Sequence, residues 1–467
     1  MPPRLLISAA HKSSGKTTIS IGLCAALEER GLNIQPYKKG PDYIDPMWLA
    51  RAANRPCHNL DFYTMQRDEI IKLLAQHSTS ADISIIEGNK GLYDGLDLDG
   101  SNSNAALANL LHAPVVLVLD ARGMTRGIAP LILGYQAFDK NIHIAGVILN
   151  QLGGSRHEKK LRSVIEHYTD VQVVGAVYHN EVLSIEERHL GLMPSNEDSS
   201  ADVKIAAIRD IIKQQLDIDK IIQIANSAST LPPVPATPEL SLPKDVRIAV
   251  VRNDAFGFYY PGDLTALENA GAELVFIDNI REQQLPDIDG LFIGGGFPEA
   301  RMAQLEQNIG MRHAIKNAIE NGLPAYAECG GLMYLSRSLS WHDETRQMAG
   351  VIAADTVMYD RPQGRGYIQM QETDTHPWHH IQPNANTTVA GHEFHYSGLL
   401  NLDPATRFAY RILRGTGVDG HNDGIVLHNL LACYAHQRDT QNNHWARRFV
   451  EFTRRYKQSC INDESQN

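Results

Sequence analysis

Short apolar runs alternate with longer segments of helical period through the first half of the chain. Residues 5–10, 83–87, 115–120, 144–150 and 171–177 are rich in Ile, Val and Leu, and a helix-length stretch follows each. That alternation predicts parallel strands covered by helices. Between Ala225 and Lys244 the pattern breaks into Ser-Thr-Leu-Pro-Pro-Val-Pro-Ala-Thr-Pro-Glu-Leu-Ser-Leu-Pro, whose prolines remove amide donors and favour extended, solvated backbone. It resumes at 247–252, 273–277, 290–293 and 324–328. The expected fold is therefore α/β, with two α/β domains: a parallel-sheet domain over 1–225, a proline-rich linker over 226–244, a second domain over 245–455 and a polar tail over 456–467. No internal repeat connects the halves.

Composition narrows the function. A chain of 467 residues suits two or three domains, and 43% hydrophobic with 21% charged residues is a globular balance. The formal net charge of -11, with no long basic block, argues against nucleic acid and toward small-molecule substrates. Five scattered cysteines without a CxxC pair indicate neither a disulfide framework nor a zinc site and suit a reducing cytoplasm. The apolar run near the N-terminus is too short for a signal segment, and no run reaches the ~18 residues of a membrane span.

Candidate chemistry begins directly after the first predicted strand. Ala10-His-Lys-Ser-Ser-Gly15-Lys16-Thr17-Thr18 precedes a helical stretch at 19–30, the strand, loop and helix order of a phosphate-binding loop, with Ala10 where the strict pattern has its first glycine. Amides at a helix N-terminus wrap phosphates, Lys16 adds charge, and the Thr17 hydroxyl suits magnesium. Ser13, Ser14, Gly15, Lys16, Thr17 and Thr18 are thus candidate nucleotide-binding residues, with ATP and Mg2+ as the implied ligands. Magnesium also needs one or two carboxylates. Asp45, in Gly40-Pro-Asp-Tyr-Ile-Asp45-Pro, and Glu87, closing the strand at 83–87, stand where acids face the ligand crevice.

The second domain offers a nucleophile. The strand over 323–327 ends in Glu328-Cys329-Gly330-Gly331, with a helical stretch at 332–339 beyond it, so Cys329 is expected at the tip of a sharp turn near a helix N-terminus. The loop Gly294-Gly295-Gly296-Phe-Pro-Glu299 lets the main chain approach a substrate, so Gly295 and Gly296, with Gly330, are candidates for stabilising an oxyanion. A thiol nucleophile needs a base. Among 20 histidines, His392, His395 and His436 are equally suited on residue type.

At this point the chain resembles the cobyrinic acid a,c-diamide synthase family along nearly its whole length. The resemblance is carried by Ser13-Ser-Gly-Lys-Thr-Thr18, Gly40-Pro-Asp-Tyr-Ile-Asp-Pro46, Gly91-Leu-Tyr-Asp-Gly95, Asp120-Ala-Arg-Gly-Met124, Gly146-Val-Ile-Leu-Asn150, Arg188-His-Leu-Gly-Leu192, Ala327-Glu-Cys-Gly-Gly-Leu-Met-Tyr334 and Gly391-His-Glu-Phe-His-Tyr-Ser397. It implies a P-loop synthetase domain of the dethiobiotin synthetase type joined to a class I-like glutamine amidotransferase domain. It further implies Cys329 as glutaminase nucleophile, His436 as its base, Asp94 as an acid near the activated carboxylate, and Asn150 as the residue that reads adenine. Thr17, Asp45 and Glu87 match the magnesium and nucleotide positions. The implied partners are glutamine, ATP and a tetrapyrrole carboxylate, and the oligomeric state stays open between monomer and homodimer. Free ammonia would be protonated in water, so a sheltered route between the domains is also implied. Asn89, Lys90, Lys39, the stretch Arg361–Tyr367 and Gln437-Arg438-Asp439 depart from the family pattern. These departures keep sirohydrochlorin or sirohaem open as alternative substrates. A reading of another class is a P-loop regulatory ATPase with an inactive glutaminase fold.

Overall fold

The structure is a computed structural model that describes residues 3–188, 191–231, 242–378 and 388–466. The chain falls into two compact units, Met1–Ala236 and Thr237–Asn467. Much of the expected linker, residues 232–241, lies outside the described residues, as do His189 and Leu190 of the Arg188–Leu192 motif.

The first unit is built on seven parallel strands: β1 (Arg4–Ala9), β2 (Ile34–Lys39), β3 (His58–Leu60), β4 (Ile83–Glu87), β5 (Val115–Asp120), β6 (Ile144–Leu152) and β7 (Gln172–Tyr178). They lie in the order β3-β2-β4-β1-β5-β6-β7. Strands β1, β4 and β5 are almost wholly buried, as near-continuous apolar runs require when helices cover both faces. Strand β2 is absent from the apolar pattern because it carries Pro36 and ends in Lys38 and Lys39, yet all six of its residues are buried. Lys38 is at the site described below.

The helix Lys16–Glu29 follows β1 and is almost entirely buried. It packs on the helix Ala201–Gln215, and Gly22 lets them meet: a Cβ there would overlap the Ile212 side chain and lie 3.0 Å from Ile208. The phosphate-loop helix thereby meets, in its second turn, a residue that also lines the cavity beside the loop, Ile212.

In the second unit a nine-stranded sheet contains β8 (Val246–Val251), β9 (Ala272–Ile277), β10 (Gly290–Ile293), β11 (Ala325–Glu328), β12 (Gly364–Glu372), β13 (Thr388–His395), β14 (Arg407–Arg414), β15 (Asn422–Leu427) and β16 (Leu430–Cys433). Their order is β9-β8-β10-β11-β16-β15-β14-β12-β13, parallel from β9 to β16 and antiparallel beyond. The helix expected at 332–339 is instead Gly330–Leu335, and a strand, Ser336–Trp341, follows. Ser336 ends the helix by donating its hydroxyl to Met333 O at 2.7 Å and Ser338 O at 2.9 Å. The strand after it pairs with Ile352–Met358 and Glu344–Gln347. The residues set aside as a tail continue the helix Trp445–Gln466, whose buried Trp445 and Phe449 pack with Tyr326 and Trp378.

Gly22→Ala is expected to destabilise the protein by roughly 1–3 kcal/mol in urea unfolding, since overpacking outweighs the better helix propensity of alanine. Adding Ile212→Ala should recover part of the loss. A neutral Gly22→Ala would show that the two helices do not meet there.

Candidate active sites

The phosphate loop turns through two left-handed residues, Ser13 (φ 63°) and Gly15 (φ 87°). Gly15 is required twice over, because a Cβ would also overlap the amide of Asn150. Asn150 donates its side-chain amide to Ser14 O at 2.8 Å, so β6 holds the loop directly. Ser14 in turn donates its hydroxyl to His11 O at 2.8 Å. Beside the loop is a cavity of about 450 Å³, whose lining includes Ser13, Gly15, Lys16, Thr17, Thr18 and Asn150. Arg122, within the Asp120–Met124 stretch but given no role by the sequence, and His179 also line it. Burial, then the nearby Lys38 charge, pulls the Lys16 ammonium down to about 8.

Thr17, Asp45 and Glu87 come together. The Thr17 hydroxyl is 2.7 Å from Glu87 Oε1 and 3.3 Å from Asp45 Oδ2. Sequence reasoning missed the fourth member, Lys38, which donates to Glu87 Oε1 at 2.7 Å and to Asp45 Oδ2. Burial alone would lower the Lys38 ammonium, but Asp45 and Glu87, followed by Asp42, hold it well above its ordinary value. Conversely, burial would raise Asp45, but Lys38 brings it below the usual carboxylate range. Apolar periodicity gives no signal for Lys38, because β2 itself is absent from that pattern.

The donor set fits magnesium. Glu87 is fully buried, and its Oε2 has no hydrogen-bond partner in the structure. The nearby donors are hard oxygens, and magnesium is commonly held by one or two carboxylates together with substrate phosphates. Among the described residues no group of three or more His, Cys, Asp or Glu converges as a metal cage. Asp94 stands on the neighbouring loop, where Oδ2 accepts the Gly91 N–H at 2.9 Å, and its charge acts on Lys16. Asn104 braces that loop through Gly91 O at 2.9 Å and Ser8 Oγ at 3.1 Å.

The second unit places Cys329 between β11 and the helix Gly330–Leu335 with φ 46° and ψ −100°, a strained conformation that sets the side chain at the turn. The Cys329 N–H donates to Cys433 O at 2.7 Å, tying the elbow to β16. Three glycine contacts assemble the surroundings. A Cβ on Gly330 would meet Gly296 O at 2.9 Å, one on Gly331 would overlap Ile293 O, and one on Gly295 would overlap the His436 ring. The Gly295–Gly296 segment, a short strand paired with Phe256–Phe258, thus lies against both the helix that follows Cys329 and His436.

The three candidate histidines separate by environment. His395 Nδ1 is 2.8 Å from Ser397 O, and its ring stacks on Tyr434. His392 is backbone-bridged to His436, stacks on its ring at 4.9 Å, and is kept well below its ordinary pKa by burial, then by His436 and Arg438. His436 touches Gly295 and sits 3.5 Å from Glu328. Burial, then the charge of Glu299, pushes the Cys329 thiol up, so a free thiolate is not its resting form.

Residues 247–443 match the model of the CobB/CobQ-like glutamine amidotransferase domain, and residues 3–187 match that of an AAA domain. Relatives match along almost the whole chain. A cobyrinate a,c-diamide synthase of Magnetococcus marinus is 44% identical over 97% of this chain and 97% of its own. One of Methanosarcina acetivorans is 40% identical over 98% of this chain and 96% of its own. One of Archaeoglobus fulgidus is 40% identical over 96% of this chain and 97% of its own.

Because Lys16 sits near 8 before any phosphate arrives, ATP binding should raise it and take up a proton around pH 8. Affinity should therefore weaken as pH rises through that value. Calorimetry in buffers of different ionisation heat measures the uptake, and Lys16→Met should abolish it. Uptake that persists in Lys16→Met would assign the proton elsewhere.

Proposed function

The chain belongs to the cobyrinate a,c-diamide synthase family, and from that membership we propose that it amidates the a and c carboxylates of cobyrinate with ammonia taken from glutamine. It is an ATP-dependent carbon–nitrogen ligase with glutamine as amide donor. The observation that carries this reading is the presence of two constellations in one chain: a phosphate loop backed by two acids, and a strained cysteine elbow against the Gly295–Gly296 strand. A regulatory ATPase requires only the first, and a plain glutaminase only the second. Full-length similarity to cobyrinate a,c-diamide synthases supports the corrin substrate. Among the described residues no helix is long and apolar enough to cross a membrane, which is consistent with work on small molecules in the cytoplasm.

In the glutaminase half, His436 takes the Cys329 proton as sulfur attacks the amide carbon of glutamine. The carbonyl electrons move to oxygen, which the main chain at Gly295, Gly296 and Gly330 is suited to meet. Collapse expels ammonia with the proton returned by His436, leaving a γ-glutamyl thioester that water hydrolyses to glutamate. Since burial disfavours a free thiolate, deprotonation is coupled to attack.

In the synthetase half, the amides at the start of the helix Lys16–Glu29 and the Lys16 ammonium hold the phosphates. Asn150 keeps the loop in shape through its side-chain NH2, and its side-chain Oδ1 would accept from adenine. Thr17, Asp45 and Glu87 would hold magnesium, which supplies charge neutralisation on the phosphate oxygens when bound. A substrate carboxylate oxygen attacks the γ-phosphorus and ADP leaves, with Asp94 beside Lys16 on the carboxylate side. Ammonia then attacks the acyl carbon, and phosphate departs.

Mass spectrometry after incubation with ATP, magnesium and glutamine should show two hydroxyl-to-amine replacements on cobyrinic acid. Amidation of sirohydrochlorin or sirohaem alone would overturn the substrate. ATP hydrolysis without any amide product would overturn the synthase reading. Cys329→Ala should abolish glutamine use yet spare ammonia-driven synthesis, whereas Lys16→Ala should lower both by about 100-fold or more. Loss of ammonia-driven synthesis in a folded Cys329→Ala would count against separate sites.

A further inference from the structure

We propose that Glu328, the residue immediately before the nucleophile, is the acid that positions His436. The inference rests on the assignment of Cys329 and His436 made above. Glu328 closes β11 and pairs in register with Cys433 at the end of β16, three residues before His436. Glu328 and His436 are both buried, and Glu328 Oε2 is 3.5 Å from His436 Nδ1.

The other carboxylate oxygen is fixed from two sides. Glu328 Oε1 accepts the Tyr326 hydroxyl at 2.6 Å and the Gln437 N–H at 2.9 Å. Two donors on Oε1 set the plane of the carboxylate and turn Oε2 to the imidazole. A proton kept on Nδ1 by Glu328 leaves the lone pair on Nε2, the tautomer that a base for a thiol needs. The ring has little freedom to swing away, because Gly295 covers its edge and His392, itself held uncharged, covers one face.

The residues that follow His436 are engaged elsewhere. The Gln437 amide donates to Tyr410 Oη at 3.0 Å, and its oxygen accepts from Asn443 at 3.1 Å. The Arg438 guanidinium, a cation, lies over the Tyr260 ring. Asp439 accepts the Ala446 N–H at 3.0 Å. Asp423, also buried nearby, accepts the N–H groups of Gly424, Tyr434 and Ala435, and so shapes the segment before His436. Glu328 is therefore a positioning residue, acting through His436 and not on glutamine itself.

Steady-state glutamine hydrolysis tests the assignment. Glu328→Gln should lower kcat by roughly 100-fold or more while KM for glutamine changes by less than about three-fold. Glu328→Asp, which keeps the charge, should recover part of the loss. Tyr326→Phe, removing one of the two donors to Oε1, should cost less than Glu328→Gln. Wild-type kcat in Glu328→Gln would overturn the proposal, as would a parallel change in kcat, KM and melting temperature, the mark of a purely structural acid. Should Glu328→Gln not fold, Glu328→Asp carries the test: kcat should fall about ten-fold at constant KM, and an unaltered kcat would overturn it. Cys329→Ala separates the two levels. An active Cys329→Ala would remove the nucleophile assignment itself, whereas an inactive one beside a fully active Glu328→Gln would remove only the role of Glu328.

Discussion

A carboxylate buried at the end of a parallel strand, with a second, half-buried one close by in the first turn of the helix Ile44–Ala52, cannot stay charged without a cation, and that constraint organises the first unit. Glu87 is fully buried and Asp45 half-buried, and the Lys38 ammonium pairs with both. Lys38 and Glu87 are register partners across β2 and β4, so the ion pair and the sheet fix each other. Breaking such a pair by removing one partner typically costs about 3–5 kcal/mol, because a buried charge is left uncompensated. Strand β2 must accordingly end in a lysine and lie inside the sheet, and the helix Lys16–Glu29 must begin where Thr17 can donate to Glu87. The site is not an addition to the fold; its charges set the register.

The second unit relies on strain and close approach. A non-glycine residue at φ 46° costs on the order of 1–3 kcal/mol and persists only where its surroundings determine it. Here the Cys329 N–H bonds to Cys433 O, and the Met333 N–H bonds to Cys329 O at 3.0 Å. Gly296, Gly330 and Gly331 stand where any Cβ would collide with main chain. The strained elbow, the Gly295–Gly296 strand and His436 therefore share one corner of the unit, which suits groups that must meet a developing charge without rearranging.

Much of this was legible because loops after apolar strands carry their chemistry in sequence. Gly15-Lys16-Thr17 follows β1, Glu87 ends β4 and Cys329 follows β11, each where the apolar pattern stops. What was not legible depends on tertiary adjacency. Strand β2 was hidden by Pro36 and its two lysines. The helix after Cys329 was read too long because Leu335 and Leu339 share a helical period, whereas the Ser336 hydroxyl ends it. The apolar residues at 425–434, interrupted by His428-Asn429, fold into the hairpin of β15 and β16 about that pair, with His428 at a φ of 50°. Residue type left three histidines equal and only the resemblance pointed to His436, while Glu328 acquires meaning only when β11 and β16 lie side by side.

The central claim is that the first unit activates a carboxylate by phosphoryl transfer before ammonia arrives. The most direct test follows oxygen: substrate labelled with 18O in its carboxylates is converted in the presence of ATP, magnesium and glutamine, and the released inorganic phosphate is analysed. One 18O per phosphate for each amide formed is the expected result, since the acyl phosphate breaks at the acyl carbon. Unlabelled phosphate accompanying full amide formation would contradict the account.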